Sequence, residues 1–169
     1  MRCGPVCLVV VGVIGCAEVT PPDVAAGRQE AVLSASSGGG PIAVFNTQMR
    51  AESEPNGAST SESKGHAQVK VYADGTIEFT FTINNKSDET FTRAHIHKAA
   101  AGVNGPIHWD FLEAGNPVAS VGGQPSQLRG VARARTAAQL ADLLANPSSY
   151  YVNVHSTAFP GGAVRGQLE

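Results

Sequence analysis

Hydrophobic and polar residues alternate most cleanly in HAQVKVYADGTIEFTFTINN, residues 66–85. Val69 and Val71 alternate with polar neighbours, Asp74-Gly75 supplies a tight turn, and Ile77, Phe79, Phe81 and Ile83 resume the alternation. Successive strand side chains point to opposite faces, so the pattern predicts an antiparallel hairpin with one buried face. An extended run from Ile42 to Met49 precedes it, and the polar stretch AESEPNGASTSESKG between them is expected to form a long surface loop. Further strands are predicted at residues 92–97, 106–112, 127–135, 149–155 and 163–168. A helix interrupts them: TAAQLADLLANP offers Thr136 as N-cap, Gln139 as its capping-box partner, an apolar stripe of Leu140, Leu143 and Leu144, and Asn146-Pro147 as a stop. Short strands separated by Gly/Pro turns, with one short helix, predict an all-β fold: an antiparallel β-sandwich of two sheets. No internal repeat is evident.

The start of the chain breaks this pattern. MRCGPVCLVVVGVIGC has one positive charge at Arg2, an apolar run from Pro5 to Gly15, then Cys16. That run is shorter than the roughly 20 residues a membrane span needs, and the layout is that of a secretory signal peptide over residues 1–15. Val13, Ile14, Gly15 and Cys16 resemble a bacterial lipobox, which makes Cys16 the expected lipidation site. The expected location is the bacterial cell envelope, lipid-anchored on its periplasmic or cell-surface side, with the membrane as a partner. Residues 16–40, with Pro-Pro, a serine-rich patch and three glycines, read as a flexible tether carrying only a weak signal for a helix over 25–34. The domain then runs from 41 to 169.

Composition narrows the function. A chain of 169 residues that is 42% hydrophobic suits one core. Twelve basic residues against fourteen acidic ones, without a basic run, disfavour nucleic acid as a partner. The three cysteines, Cys3, Cys7 and Cys16, all precede the domain, so it holds no disulfide, thiolate metal site or cysteine nucleophile.

Candidate chemistry centres on FTRAHIHKAA, where His95 and His97 flank Ile96. In a strand the two histidines share one face, roughly 6.5 to 7 Å apart, while Ile96 faces the core. In YYVNVHS, Val152 and Val154 take the core side and Tyr151, Asn153 and His155 the other. If the two strands are neighbours, three imidazoles converge within reach of one copper or zinc ion. The alternative is a set of polar residues on the outer, wet face of a sheet. His66 is expected to be solvated, and His108 is either an exposed strand residue or a fourth ligand. Arg165 is expected on the histidine side, either attracting an anion or clamping a loop carbonyl or carboxylate. Pro160-Gly161-Gly162 reads as a hairpin turn, and Gly102, Asn104 and Gly105 as a loop. No enzymatic activity is expected: His155 and Ser156 are adjacent and point to opposite faces, and Asp110, Glu113 and Asp142 suggest no carboxylate pair.

Ala94-His95-Ile96-His97, then Asn104-Gly105-Pro106, Tyr151 to His155 and Pro160 to Leu168 resemble the CHRD domain, first recognised in chordin and widespread in bacterial exported proteins. The resemblance covers residues 41–169. It implies a β-sandwich and no established activity, hence a non-catalytic binding or structural module with an unknown protein partner. The histidine pattern also resembles the copper side of Cu/Zn superoxide dismutase, itself a β-sandwich. The departures are large: this chain has only His108 between His97 and His155, and no cysteine in the domain. Dismutase activity is therefore not expected. The competing expectation is a copper-binding protein using His95, His97 and His155, with Asn153 and Arg165 in support.

Overall fold

The computed structural model describes residues 39–86, 88–112, 125–134 and 136–169. The signal peptide, Cys16, the tether up to residue 38 and Glu113 lie outside the described residues. No helix among the described residues is long and apolar enough to cross a membrane.

Alternation builds the strands where it is strongest. β2 (Lys64–Val71) and β3 (Thr76–Asn84) form the expected hairpin, with Val69 opposite Phe79 and Ala67 opposite Phe81. Gly75 closes the turn at φ 82°, a conformation that glycine adopts without steric cost. With β1 (Ala43–Arg50), β4 (Phe91–Lys98), β5 (Ile107–Leu112), β6 (Pro125–Arg133), β7 (Tyr150–Ser156) and β8 (Val164–Gln167), they form an all-β, antiparallel architecture. The α-helix of the described residues, α1 (Ala137–Ala145), carries the expected Thr136/Gln139 capping box.

The two expected sheets are one. The strand order is β5-β4-β7-β8-β1-β2-β3-β6, an eight-stranded sheet that wraps until its ends approach each other. Phe111 of β5 packs on Phe79 of β3 with ring centroids 4.2 Å apart. The halves join where β8 meets β1, through the single registered pair Arg50 and Arg165. Gly166 permits that junction, because a Cβ there would stand 2.5 Å from the carbonyl oxygen of Gln48.

Inside the wrap, Val69, Ile77, Phe81, Ile83, Phe91, Ile96, Val152 and Val154 are buried in one hydrophobic cluster. Burying each such side chain stabilises the fold by about 1.5–3 kcal/mol, the main force holding a domain without disulfides. Leu143 docks α1 on this cluster. Asp142 fixes the helix laterally, accepting hydrogen bonds from Lys98, the Tyr150 hydroxyl and Asn146. Those donors, Lys98 foremost, hold the Asp142 carboxyl down at about 2.

The stretch expected as a free surface loop is tied down. Two short 3-10 turns, Ala51–Ser53 and Pro55–Gly57, start it, and Glu54, Ser59, Ser61 and Ser63 are buried. The Ser61, Ser63 and Ser156 hydroxyls all donate to the buried Glu89 carboxylate, the last two at 3.0 and 2.6 Å. Hydrogen bonds to a charged group stabilise by about 1.5–3 kcal/mol each, so this knot replaces apolar burial for a polar segment.

The β8–β1 junction gives a paired test. Gly166→Ala is expected to lower unfolding free energy by about 1–3 kcal/mol through overpacking. Gly161→Ala, where an added Cβ meets nothing within 4 Å, is expected to be close to neutral. Urea denaturation of both variants measures the difference.

Candidate metal centre

The strand pair β4–β7 sets the site. His95 lies opposite Asn153, His97 opposite Tyr151 and Arg93 opposite His155, and β8 continues the row with Arg165 opposite Asn153. Ala94, Ile96, Val152 and Val154 enter the hydrophobic core, so the other face receives the histidines, as alternation requires.

That face is not wet. His95 is 1% exposed, His97 and His155 8%, and Arg165 1%. The expectation of solvated imidazoles on an open sheet fails because the segments carrying Gly105 and Pro160 close over the rings, their carbonyls bonded to His97 and His155. Arg165 holds the cover in place. Its Nη2 donates to the carbonyls of Ala100 and Val103 at 3.1 and 2.8 Å, and Nη1 donates to Asn104 Oδ1 at 3.4 Å. Its guanidinium lies 3.3 Å from the centre of the Tyr151 ring. Gln167 adds a bond to the Ala99 carbonyl at 2.9 Å. Of the two roles open for Arg165, the geometry is that of the loop clamp.

Two of the three rings are oriented by an acceptor behind them. His97 Nδ1 donates to the Gly105 carbonyl and His155 Nδ1 to the Pro160 carbonyl, both at 2.9 Å. Such bonds fix the tautomer, leaving Nε2 of each ring with a lone pair turned inward. The Tyr151 ring stacks on His97 at 4.8 Å and 2°, and its hydroxyl accepts from the Gly105 amide at 3.2 Å. Gly105 must be glycine, since a Cβ would sit 2.1 Å from the Lys98 carbonyl oxygen.

His95 is the third ring. Its Nδ1 lies 2.9 Å from His155 Nε2, and its Nε2 lies 3.7 Å from Asp110 Oδ1. A neutral His95 has one proton to place. On Nδ1 it bridges to His155 and leaves a buried lone pair on Nε2 near a carboxylate. On Nε2 it leaves two lone pairs facing each other. His97 is pulled in the same way, because its Nε2 lies 3.1 Å from Asn153 Oδ1, a second acceptor. A cation among the rings relieves both conflicts. One nitrogen from each of the three rings lies within 4.8 Å of the other two.

Burial pushes all three imidazoles below the ordinary histidine range. His95 falls to about 4, with the neighbouring His155, His97 and Arg93 adding to its desolvation. Neutral rings are the form that binds a metal. Burial likewise raises the carboxyl of Glu54, against the opposing charge of Arg165 and a hydrogen bond from Asn153. Three imidazoles suit copper or zinc.

The remaining candidates lie elsewhere. His108 packs against the rings of Trp109 and Tyr150, on the core side, and is not brought to the cluster as a fourth ligand. His66 is exposed, near Gln48. Ser156 donates to Glu89, on the face opposite His155. Asp110, Glu54 and the Gly105 and Pro160 carbonyls were not singled out by sequence as parts of this site. The only hint is that Asn104-Gly105-Pro106 and Pro160-Gly161-Gly162 follow the histidine strands closely.

The architecture and cluster together define an all-β domain with a covered, polar face of three imidazoles. The family model of the CHRD domain matches residues 45–168, and the chain belongs to that family. Comparison with curated proteins and with solved structures finds no match.

The depressed imidazoles set a pH dependence for metal-free protein. Their folded-state pKa lies below the unfolded value, so the unfolded chain binds more protons between about 6.5 and 4. Their contribution to stability is complete above about pH 6.5 and lost as pH falls towards 4. His97, His155 and Arg93 disfavour a proton on His95, and Asp110 opposes them. Urea midpoints of chelator-treated protein are expected to fall across that window, and to fall less in a His95→Gln variant.

Proposed function

We propose that this chain is a non-catalytic, envelope-anchored CHRD binding module whose ligand is a single copper ion held by His95, His97 and His155. The observation that carries the reading is that one nitrogen of each ring lies within 4.8 Å of the other two, with His95 Nδ1 against His155 Nε2 and with Nδ1 of both His97 and His155 bonded to a carbonyl; the inward set is then His95 Nδ1, His97 Nε2 and His155 Nε2. Asn153 and Arg165 support the site from outside, the first beside His97, the second through the cover. Anchoring through Cys16 is supported by the lipobox-like VIGC sequence.

A binding role is favoured over catalysis by where the rings point. They face one another beneath the cover. The cavity of about 350 Å³ nearby is lined by Glu54, Arg165 and Gln167, among others, and by none of the three histidines. An ion buried among rings that are 1–8% exposed suits storage or delivery to a protein partner.

The test uses the chain from residue 16 with Cys16→Ser, so that no thiolate competes for metal. Copper is expected to bind at one equivalent. Binding is expected to fall at least a hundredfold in His95→Ala and in His155→Ala, with folding verified by circular dichroism. Wild-type affinity in both folded variants, or no copper binding by the parent, would sink the reading. The histidines would then be a buried polar layer of a partner-binding module.

A further inference from the structure

Resting on the three-imidazole reading, we infer that the ion this site holds is monovalent copper, and that its surroundings discriminate against divalent zinc and divalent copper. The first argument is coordination. Asp110 lies behind the His95 ring, nearest Nε2, whereas Nδ1 of that ring faces the cluster. The carboxylate therefore cannot bind the ion that Nδ1 binds. His108 is on the core side. Asn153 offers only a neutral amide oxygen, 3.1 Å from His97 Nε2, which brings no charge to balance a divalent ion. Zinc takes four ligands, and its three-ligand protein sites complete the set with water. Here water would have to enter beneath residues that are 1–8% exposed. Monovalent copper, a closed-shell ion of low charge, is satisfied by three neutral nitrogens in a plane.

The second argument is charge. The three ligands are neutral, so the ion's charge is not cancelled by its donors. The buried Arg165 guanidinium lies on the far side of the Tyr151 ring that stacks on His97, and Arg93 stands opposite His155 in the sheet. Against them stand Asp110, 45% exposed and screened by solvent as the exposed Arg93 also is, and the Glu54 carboxyl beside Arg165, whose burial disfavours its charged form. The desolvation cost of an ion rises with the square of its charge, so a divalent ion is penalised fourfold relative to a monovalent one. Repulsion from the two arginines doubles as well. Both effects favour the lower charge. The ion is taken up and released as copper(I), so no electron transfer is part of the function.

The chain from residue 16 carrying Cys16→Ser separates the outcomes. Copper(I) affinity is measured anaerobically by competition with a chromogenic copper(I) chelator, and copper(II) and zinc(II) are titrated separately. One equivalent of copper(I) is expected, bound at least a hundredfold more tightly than zinc(II). The same hundredfold preference is expected over copper(II), equivalent to a shift of about 120 mV in a one-electron couple. Asp110→Asn, which touches no ligating nitrogen, is expected to raise the preference for copper(I) several-fold. Zinc(II) or copper(II) bound as tightly as copper(I), and lost in His95→Ala, would overturn this inference while leaving the three-imidazole site in place. Failure to bind all three ions would overturn both.

Discussion

The guanidinium of Arg165 is buried between the Tyr151 ring and three oxygen acceptors of residues 99–106, and the closed outer face depends on it. A buried cation is tolerated only when its donors are used, and here carbonyls of Ala100 and Val103 and the Asn104 side chain use them. The same bonds hold down a glycine-rich segment that has little apolar surface of its own. With the cover closed, Gly105 presents its carbonyl to His97, and Tyr151 is sandwiched between arginine and imidazole. Removing the clamp would therefore alter tautomer, solvation and approach at the histidines together.

Desolvation and orientation act in one direction. The covered face keeps the imidazoles neutral, and the acceptors behind His97 and His155 turn the lone pairs of those two rings towards His95. In water such lone pairs would be satisfied by solvent. Here they are satisfied by one another only at the cost of a misplaced proton on His95. The sheet thus has two interiors. One is apolar and stabilises the fold, and the other is polar and carries a hydrogen-bond conflict that a cation would resolve. The strands β4 and β7 belong to both, which is why their residues are buried on each face.

Much of this was legible in the sequence because alternation reports which side chains share a face. It placed His95, His97 and His155 together, located the β2–β3 hairpin, and identified the capping box of α1. It could not report burial, because the cover comes from irregular segments that follow the histidine strands and that fold back only where Arg165 and Gln167 hold their carbonyls. Nor could it show that the two halves join. That depends on a single β8–β1 pair and on the missing side chain of Gly166. His108 was ambiguous for a different reason: the β4–β5 pairing shifts register at Ala94/His95 and Ile96/His97, so parity counted along the chain does not carry across that edge. The choice between anion site and clamp at Arg165 likewise needed the positions of carbonyl oxygens, which no spacing encodes.

The central claim is that one specified nitrogen of each histidine points at a common ion. A long-range proton–nitrogen correlation spectrum of the imidazoles, recorded with and without copper(I), tests it most directly. The account predicts that His97 and His155 carry their proton on Nδ1 in both states, and that the ion shifts His95 Nδ1, His97 Nε2 and His155 Nε2. Protons on Nε2 of His97 and His155, or an ion that shifts any other nitrogen, would contradict it.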